Sequence, residues 1–428
     1  MIDLKLLRTS PDYVRAALAR RGDPAVLALL DELERLDAQR RDLAKTLDDL
    51  KKQRNEWAHA DAAHVKQHGA LPPDVLAQRK EHGLRISQRE QALRDVESVL
   101  TAKALFIPNL PLPDIPDGDA STIAYVRAWG DPAPQGGVPH WQIAEQLGIL
   151  DLKRGAKLSG SGFPVFVGAG ARLVRALINF MLDLHTREHG YIEVAPPFLV
   201  RREMMQGTGQ VPKFEEDAYR TEPDDLFLVP TAEVPVTNLL RDELLDGATL
   251  PRAYVAYAPC FRREAGAAGK DTRGLLRVHQ FDKVELVRFC RPEDSAAQHE
   301  QLLGHAEEVL KRLELPYRVA LMSTQELGFA NAKQYDLEAW APAVGAWLEV
   351  SSASVYSDFQ ARRANIRFRP RPGDKPEFVH TLNASGLALP RTIAALLETH
   401  RQSDGSVTLP PALVPHMGGD RLSSAGVA

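Results

Sequence analysis

Between Val26 and Trp57 the leucines recur with a period of seven: Leu29, Leu36, Leu43 and Leu50, then Trp57, with Leu33 and Leu47 on the adjoining seam. An apolar seam sustained over several such repeats predicts a coiled-coil helix. The segment HGALPPDV interrupts it, because adjacent prolines cannot continue a helix. A second helical pattern carries Ile86, Leu93 and Leu100 at the same spacing, with Val96 and Val99 beside them, until the proline-rich FIPNLPLPDIPDGD stops it. Two helices of similar length joined by a turn predict an antiparallel hairpin. At about 1.5 Å per residue, an arm of roughly 35 residues reaches about 50 Å. Past the linker the pattern changes to short apolar runs alternating with helices, with frequent Gly and Pro, which predicts a mainly antiparallel sheet flanked by helices. ARLVRALINFMLDLHTREHG has helical spacing and ends in Gly190, a C-cap residue; YIEVAPPFLV follows as a strand running into a turn. The fold class is α+β, with a helical arm over 1–105 and a sheet-based domain over 106–428.

The stretch from Cys260 to Arg288 reads as two strands with charge concentrated on one face. Side chains alternate along a strand, so Arg262 and Glu264 project together, as do Arg277, His279, Phe281, Lys283 and Glu285. Opposite charges and an aromatic ring on one sheet surface are expensive to bury unless a ligand of mixed charge completes them. ATP together with a zwitterionic amino acid would do so. The connecting AGAAGKDTRG is too long for a tight hairpin.

Composition narrows the classes. With 428 residues, 44% of them hydrophobic, the chain can bury a real core, and a net charge of −4 excludes a uniformly basic nucleic-acid coat. Charge is nonetheless uneven: Lys51 to Arg94 holds nine Lys or Arg against five Asp or Glu, with His59, His64, His68 and His82 in the same region. Solvated coiled-coil faces account for such a pattern in an arbitrary protein; on a long projecting arm, contact with an RNA backbone is the better reading. Cys260 and Cys290 are too few for a disulfide framework, and thirteen histidines with two cysteines show no zinc spacing. No stretch approaches ~20 apolar residues, and MIDLKLLRTS lacks a signal-peptide core, so a cytoplasmic protein without a membrane partner is expected.

Four separated segments, GYIEVAPPFLV with Pro196-Pro197, PTAEVPVTN from Pro230, CFRREAGAAGKDTRGLLRVHQFDKVEL from Cys260 and LNASGLALPRTIAALLE from Leu382, together resemble a seryl-tRNA synthetase of the bacterial type, a class II aminoacyl-tRNA synthetase. EVSSASVYSDFQARR from Glu349 and MMQGTGQVPKF from Met204 add to the likeness, and the N-terminal hairpin resembles the family's arm for the long variable arm of tRNA. The resemblance implies two steps: serine carboxylate attacks the α-phosphorus of ATP, then a ribose hydroxyl at the tRNA 3′ end takes the acyl group. It implies ATP contacts at Arg262, Arg263, Glu264, Val278, Phe281, Glu349, Val350, Ser351, Ser352 and Arg391, and serine contacts at Thr231, Ala232, Glu233, Arg262, Glu285, Asn383 and Ser385.

Within that set the catalytic pair would be Arg262, whose fork suits the α-phosphate and carboxylate, and Arg391, matching the arginine that holds the γ-phosphate. Glu264 would accept from the adenine amino group, Phe281 would stack on the purine, Val278 would touch the nucleotide through its backbone, and Glu285 would read the serine hydroxyl. Thr231 is equally placed to be a plain helix N-cap before EVPVTNLL. Glu349 and Ser352 match the family's Mg²⁺ contacts. The loop AGAAGKDTRG would be mobile without ligand. Implied partners are tRNA(Ser), tRNA(Sec) in a host that makes it, and a second copy of the chain meeting it through GYIEVAPPFLV. Two departures from the common pattern stand out: Ser351, Ser352, Ala353, Ser354 and Val355 where the family often has SSCSN, and Leu389-Pro390 where it often has Val-Gly. A relative that loads a carrier protein would lack the long arm, and a dead paralogue would be expected to lose Arg262, Glu264, Glu285 or Arg391.

Overall fold

The computed structural model describes residues 1–265 and 273–427. Ile2–Ala19 and Asp23–Pro108 form one compact unit; Met1, Arg20–Gly22 and Asn109–Ala428 form the other. In the first, α1 (Leu4–Thr9) and α2 (Pro11–Ala19) precede the long α3 (Pro24–His68) and α4 (Pro73–Ala104). Local chemistry sets these ends. Asp23 accepts from the N–H of Ala25, Pro24 opens α3, and Gly69 closes it at φ 82° with its N–H on Val65 O. The break falls at Pro72-Pro73, where Pro73 begins α4. At 45 residues, α3 is longer than the sequence pattern suggests, spanning about 68 Å.

The buried seam also differs from the heptad in its first half. Leu43, Leu47 and Leu50 are buried as expected, but upstream the buried line is Val26, Leu30, Leu33 and Asp37, while Leu29 and Leu36 are only half-buried. There α2 also packs on α3, which shifts the covered face. Asp37 tolerates that position because Arg8 grips its carboxylate with two bonds of 2.8 and 3.1 Å while Arg40 adds a third at 3.2 Å. Towards the far end, His82 is buried rather than free, bonded to Leu50 O at 2.9 Å and packed on Trp57. Arg79 lies 4.0 Å over the same indole and pairs with Asp61, so part of the arm's basic and His content holds the hairpin together.

The larger unit is built on eight strands: β1 (Ala124–Trp129), β2 (Ile192–Glu193), β3 (Arg252–Phe261), β4 (Gln280–Cys290), β5 (Tyr317–Leu321), β6 (Lys333–Ala341), β7 (Ala346–Ser357) and β8 (His380–Ala388). Their spatial order is β1-β5-β6-β7-β8-β4-β3-β2, and every pair is antiparallel except β2 with β3. Its helices include α5 (His140–Gln146), α6 (Ala169–Arg187), α7 (Glu233–Asn238), α8 (Ser295–Arg312), α9 (Phe359–Ala364) and α10 (Leu389–Thr399). Alternation along β4 explains how the sheet carries both core and site. Val284 and Leu286 enter the core shared with α6, α8 and α10; on the opposite face Phe281, Lys283 and Glu285 are followed by Val287 and Phe289, which join a second core with Phe227, Val234 and Phe368. Cys260 and Cys290 are free and buried, and burial pushes their thiols up to about 11 and about 12.

Behind the sheet, His185, His189 and His305 crowd together with Tyr191 and Arg288. His185 and His189 share a 2.9 Å bond, His189 stacks on His305 at 3.9 Å, and Arg288 binds Tyr191 at 2.8 Å. Burial holds all three imidazoles below the usual value of 6.5, His305 down to about 3; the other imidazoles and Arg288 add to this at His185 and His305, whereas Glu188 and Glu308 oppose it at His189. The unfolded chain therefore takes up protons near pH 6.5 that the folded chain refuses, so this cluster's contribution is full above 6.5 and is lost as pH falls towards about 3. The melting temperature should drop on acidification below neutrality, and His305→Asn should flatten that dependence in a pH series of thermal melts.

Candidate active site

A cavity of about 470 Å³ opens over β4, β7 and β8. Thr231, Glu233, Arg262, Glu264, Val278, Phe281, Glu349, Val350, Ser351, Ser352, Asn383, Ser385 and Arg391 all line it. Three expected residues do not. Arg263 is exposed, its N–H donated to Asp217 O at 2.9 Å; Ala232 and Glu285 are fully buried behind the wall. The two-strand picture needs correction as well. β3 ends at Phe261 and β4 starts at Gln280, so Arg262, Glu264, Arg277 and His279 lie in irregular backbone, with Glu264 at φ 51°. Arg262 still adds one rung, its N–H donating to His279 O at 2.9 Å. His279 turns away from the cavity: its Nδ1 meets Arg262 O, and its ring packs on Phe163 at 5.3 Å. Most of the loop 265–274, expected to be mobile, falls at 266–272 and lies outside the described residues.

One end of the cavity is a buried polar network. Asn383 Nδ2 donates to Glu285 Oε1 at 2.7 Å and to Glu233 Oε2 at 3.0 Å, and its Oδ1 accepts from Tyr356 OH at 2.8 Å. Gln360 donates to Glu233 Oε1 at 2.6 Å and accepts from Thr381, while the Lys283 ammonium pairs with Glu285 Oε2. Lys283 is 5% exposed and Glu285 0%, so this is a desolvated ion pair. Two carboxylates face one ammonium, and the excess negative charge is held by amides. The Glu233 carboxyl is consequently pushed up to about 7, by burial first and the Glu285 charge second, against the pull of Lys283, Gln360 and Tyr356. Thr231 lines the cavity and its hydroxyl accepts from the N–H of Glu233 at 3.2 Å, while the N-cap position of α7 is taken by Ala232.

The other end is rich in arginine. Arg262 lies 5.2 Å from the Phe281 ring and reaches Pro230 O at 3.4 Å; among the described residues no carboxylate pairs with it. Glu264 is held by Arg277 at 2.6 Å. Arg391, in the first turn of α10, donates to Leu276 O at 3.1 Å and Glu349 O at 3.0 Å, and its guanidinium stands 3.5 Å from the Glu349 carboxylate. Strand bulges bring consecutive residues of β7 to the cavity. The register slips between Glu349 and Ser351, and again in β8 between Ser385 and Leu387. Ser351 Oγ donates to Ser385 O at 2.6 Å across that seam. Asp336 lies opposite Ser352 in β6 and accepts from Gln334 at 2.8 Å; burial, and next the Glu349 charge, hold its carboxyl well above the carboxylate range.

Sequence reasoning gave no role to Asp336, Tyr356 or Gln360. Tyr356 and Gln360 sit inside EVSSASVYSDFQARR, and alternation along QYDLEAW places Asp336 on a polar face, but nothing in either pattern says that Tyr356 lines the cavity, that Gln360 holds Glu233 or that Asp336 stands opposite Ser352. Lys283 and Arg277 were visible as charges, without their partners.

A mainly antiparallel sheet bearing an arginine-rich cavity of this form is the catalytic core of a class II aminoacyl-tRNA synthetase, and residues 213–400 match the family model described as the class II core domain for the G, H, P, S and T enzymes. Residues 1–111 match the model of the seryl-tRNA synthetase N-terminal domain. The chain belongs to the seryl-tRNA synthetase family. It is 53% identical to a serine–tRNA ligase of Gemmatimonas aurantiaca over 98% of this chain and 99% of that one. Among solved structures, a seryl-tRNA synthetase of Pyrococcus horikoshii complexed with ATP superposes with a TM-score of 0.93 at 37% identity, covering 100% of both chains. A cytoplasmic serine–tRNA ligase of Naegleria fowleri in complex with AMP gives a TM-score of 0.84 at 28% identity, over 97% of this chain and 96% of that one.

Proposed function

We propose that this cavity joins serine to AMP and hands the seryl group to tRNA, as an ATP-dependent serine–tRNA ligase. The observation that carries the assignment of residues is the meeting, in one hollow, of an ammonium-seeking carboxylate network and a set of arginines, with Arg262 lining the same wall. Serine would place its ammonium and hydroxyl against Glu233, Asn383 and Ser385, with Glu285 setting the polarity of that site from behind through Asn383 and Lys283. Its carboxylate would lie on Arg262, beside the α-phosphate. A carboxylate oxygen attacks the α-phosphorus, the bond to the β-phosphate breaks, and pyrophosphate leaves with that electron pair. The ribose hydroxyl of tRNA then attacks the seryl carbonyl, and AMP departs. Both displacements rest on positioning and charge stabilisation, so no side-chain nucleophile is required. Phe281 would stack on the adenine, with Glu264 accepting from its amino group and sharing its carboxylate with Arg277.

Glu349 and Ser352 offer hard oxygen donors, with Asp336 hydrogen-bonded to Ser352, a set that fits Mg²⁺. Among the described residues no three His, Cys, Asp or Glu side chains form a complete metal cage, so phosphate oxygens and water would supply the remaining ligands. The ion, when bound, neutralises charge on the phosphates. Arg391, now beside Glu349, would turn to the γ-phosphate as the nucleotide enters.

Residues 1–105 would grip tRNA(Ser), and tRNA(Sec) where the host makes it, while 106–428 form the catalytic domain. Exposed Ile192 on the edge strand β2, with exposed Phe198 and Leu199 close behind it in sequence, favours a homodimer through that segment. No helix among the described residues is long and apolar enough to cross a membrane, and we place the enzyme in the cytoplasm. Serine-dependent ATP–pyrophosphate exchange, followed by aminoacylation of tRNA with and without its long variable arm, tests the assignment; exchange that ignores serine refutes it.

Proton linkage gives a second check. Glu233, pushed up to about 7, is shared between its protonated and charged forms near neutrality, and an entering ammonium favours the charged form. KM for serine should therefore fall as pH rises through 7, and Glu233→Gln should weaken binding and erase that slope. The effect on folding has the opposite sign. Between 4.5 and about 7 the folded chain keeps a proton that the unfolded chain has lost, so this group's contribution to stability declines as pH rises across that window.

A further inference from the structure

The nucleotide half of the cavity is walled by residues 275–278, the far stem of the loop that follows Arg262. Its near stem is tied down by Asp217, whose backbone oxygen accepts from the N–H of Arg263 at 2.9 Å and whose carboxylate accepts from the N–H of Ala265 at 2.9 Å. The far stem has a different anchor, buried and remote in sequence. The N–H of Leu275 donates to Nε2 of His140 at 3.1 Å. An acceptor nitrogen carries no proton, so the ring's other nitrogen is the donor, and Nδ1 meets Glu398 Oε1 at 2.8 Å. The same oxygen takes the backbone N–H of His140 at 3.0 Å, while Glu398 Oε2 takes those of Ala343 and Val344 at 2.9 and 3.2 Å. Both side chains are fully enclosed.

Packing allows little slack around this ring. A Cβ added to Gly274, at φ 62°, would fall 2.4 Å from His140 Nε2, and Trp141 meets the His140 ring edge-on at 4.9 Å and lies 5.3 Å from the Arg273 guanidinium. Glu398 stands two turns along α10 from Arg391, and Arg391 holds the carbonyl of Leu276. One helix thus grips the stem at two consecutive residues, the amide of Leu275 through His140 and the carbonyl of Leu276 directly.

We infer that His140, fixed by Glu398, is a positioning residue for ATP: it sets the far stem of the loop so that Val278 and Arg391 stand ready for the nucleotide. Nothing in its role touches substrate. The inference rests on the ligase reading above, and it assigns the His140–Glu398 pair to ATP rather than to serine, whose network shares no residue with it.

Two variants of the full chain separate this role from general stabilisation. His140→Gln can place its amide oxygen where Nε2 was and still accept from Leu275. His140→Asn can keep a donor on Glu398 but leaves that N–H without an acceptor. In serine-dependent pyrophosphate exchange, His140→Asn should raise KM for ATP about tenfold, the scale of one hydrogen bond lost, with KM for serine unchanged, while His140→Gln stays near wild type. Equal KM values for ATP in the two variants, a parallel rise in KM for serine, or losses that simply follow melting temperature would overturn the inference. A measurement independent of variant folding is hydrogen exchange in the wild-type chain. Protection of the Leu275 amide without ligand is expected, and rapid exchange there refutes the anchor. A wild-type chain without serine-dependent exchange would instead fail the ligase reading itself.

Discussion

Arg262→Lys is expected to lower the rate of serine-dependent pyrophosphate exchange by about 10²–10³ while leaving the melting temperature almost unchanged. The rate effect follows from geometry. A guanidinium presents two parallel donors to a pair of oxygens, whereas an ammonium is a point charge that cannot bind carboxylate and phosphate in the same fork. Stability should be spared, because among the described residues Arg262 has only the 3.4 Å bond to Pro230 O and the face of Phe281 to lose. Single-turnover formation of seryl-adenylate, followed by quenching, measures the step directly. Adenylate formed at the wild-type rate by the lysine variant would remove Arg262 from the chemistry.

Glu285→Gln should damage both folding and substrate recognition. Lys283 would then keep a buried ammonium without its counter-charge, and leaving one half of a buried ion pair costs about 3–5 kcal/mol. Asn383 would retain an acceptor at that position, so the hydrogen-bond pattern survives better than the charge balance. Denaturant unfolding should show a lower midpoint at unchanged slope, and KM for serine should rise as the ammonium site loses negative charge. Adding Lys283→Met to the glutamine variant should recover much of the stability, because both charges are then gone, but not the affinity for serine. If Glu285→Gln melted and bound serine like wild type, the carboxylate would be neither a structural partner of Lys283 nor a determinant of specificity. The same desolvated polarity explains how alanine would be rejected: without a hydroxyl it leaves buried polar groups unpaired.

The periodic parts of this protein were legible from its pattern alone. Leu43, Leu47 and Leu50 follow the heptad into the hairpin, Pro72-Pro73 breaks it, and strict alternation along β4 puts Phe281, Lys283 and Glu285 on the face opposite Val284 and Leu286. Pattern failed wherever an element meets a neighbour from an unexpected side. Leu29 and Leu36 yielded the buried line to Leu30 and Asp37 because α2 covers α3 there, and His279 left the site because it lies in irregular backbone ahead of β4, where alternation no longer applies. His82 and Arg79 look like solvent-facing arm residues in sequence yet bind within the hairpin.

Residue order by itself determined the helical arm, the antiparallel sheet, the family and the chemical types gathered for ATP and serine, because short-range periodicity and chain-local motifs reside in neighbouring residues. Tertiary structure alone decided which carboxylate lines the cavity and which stands behind it, that Asn383 bridges Glu233 to Glu285, and that His140 reaches Leu275 across more than a hundred residues. Burial and hydrogen-bond partnership are relations between distant segments. They exist only once the strands are in register, and they hold the carboxyls of Glu233 and Asp336 above the ordinary carboxylate range.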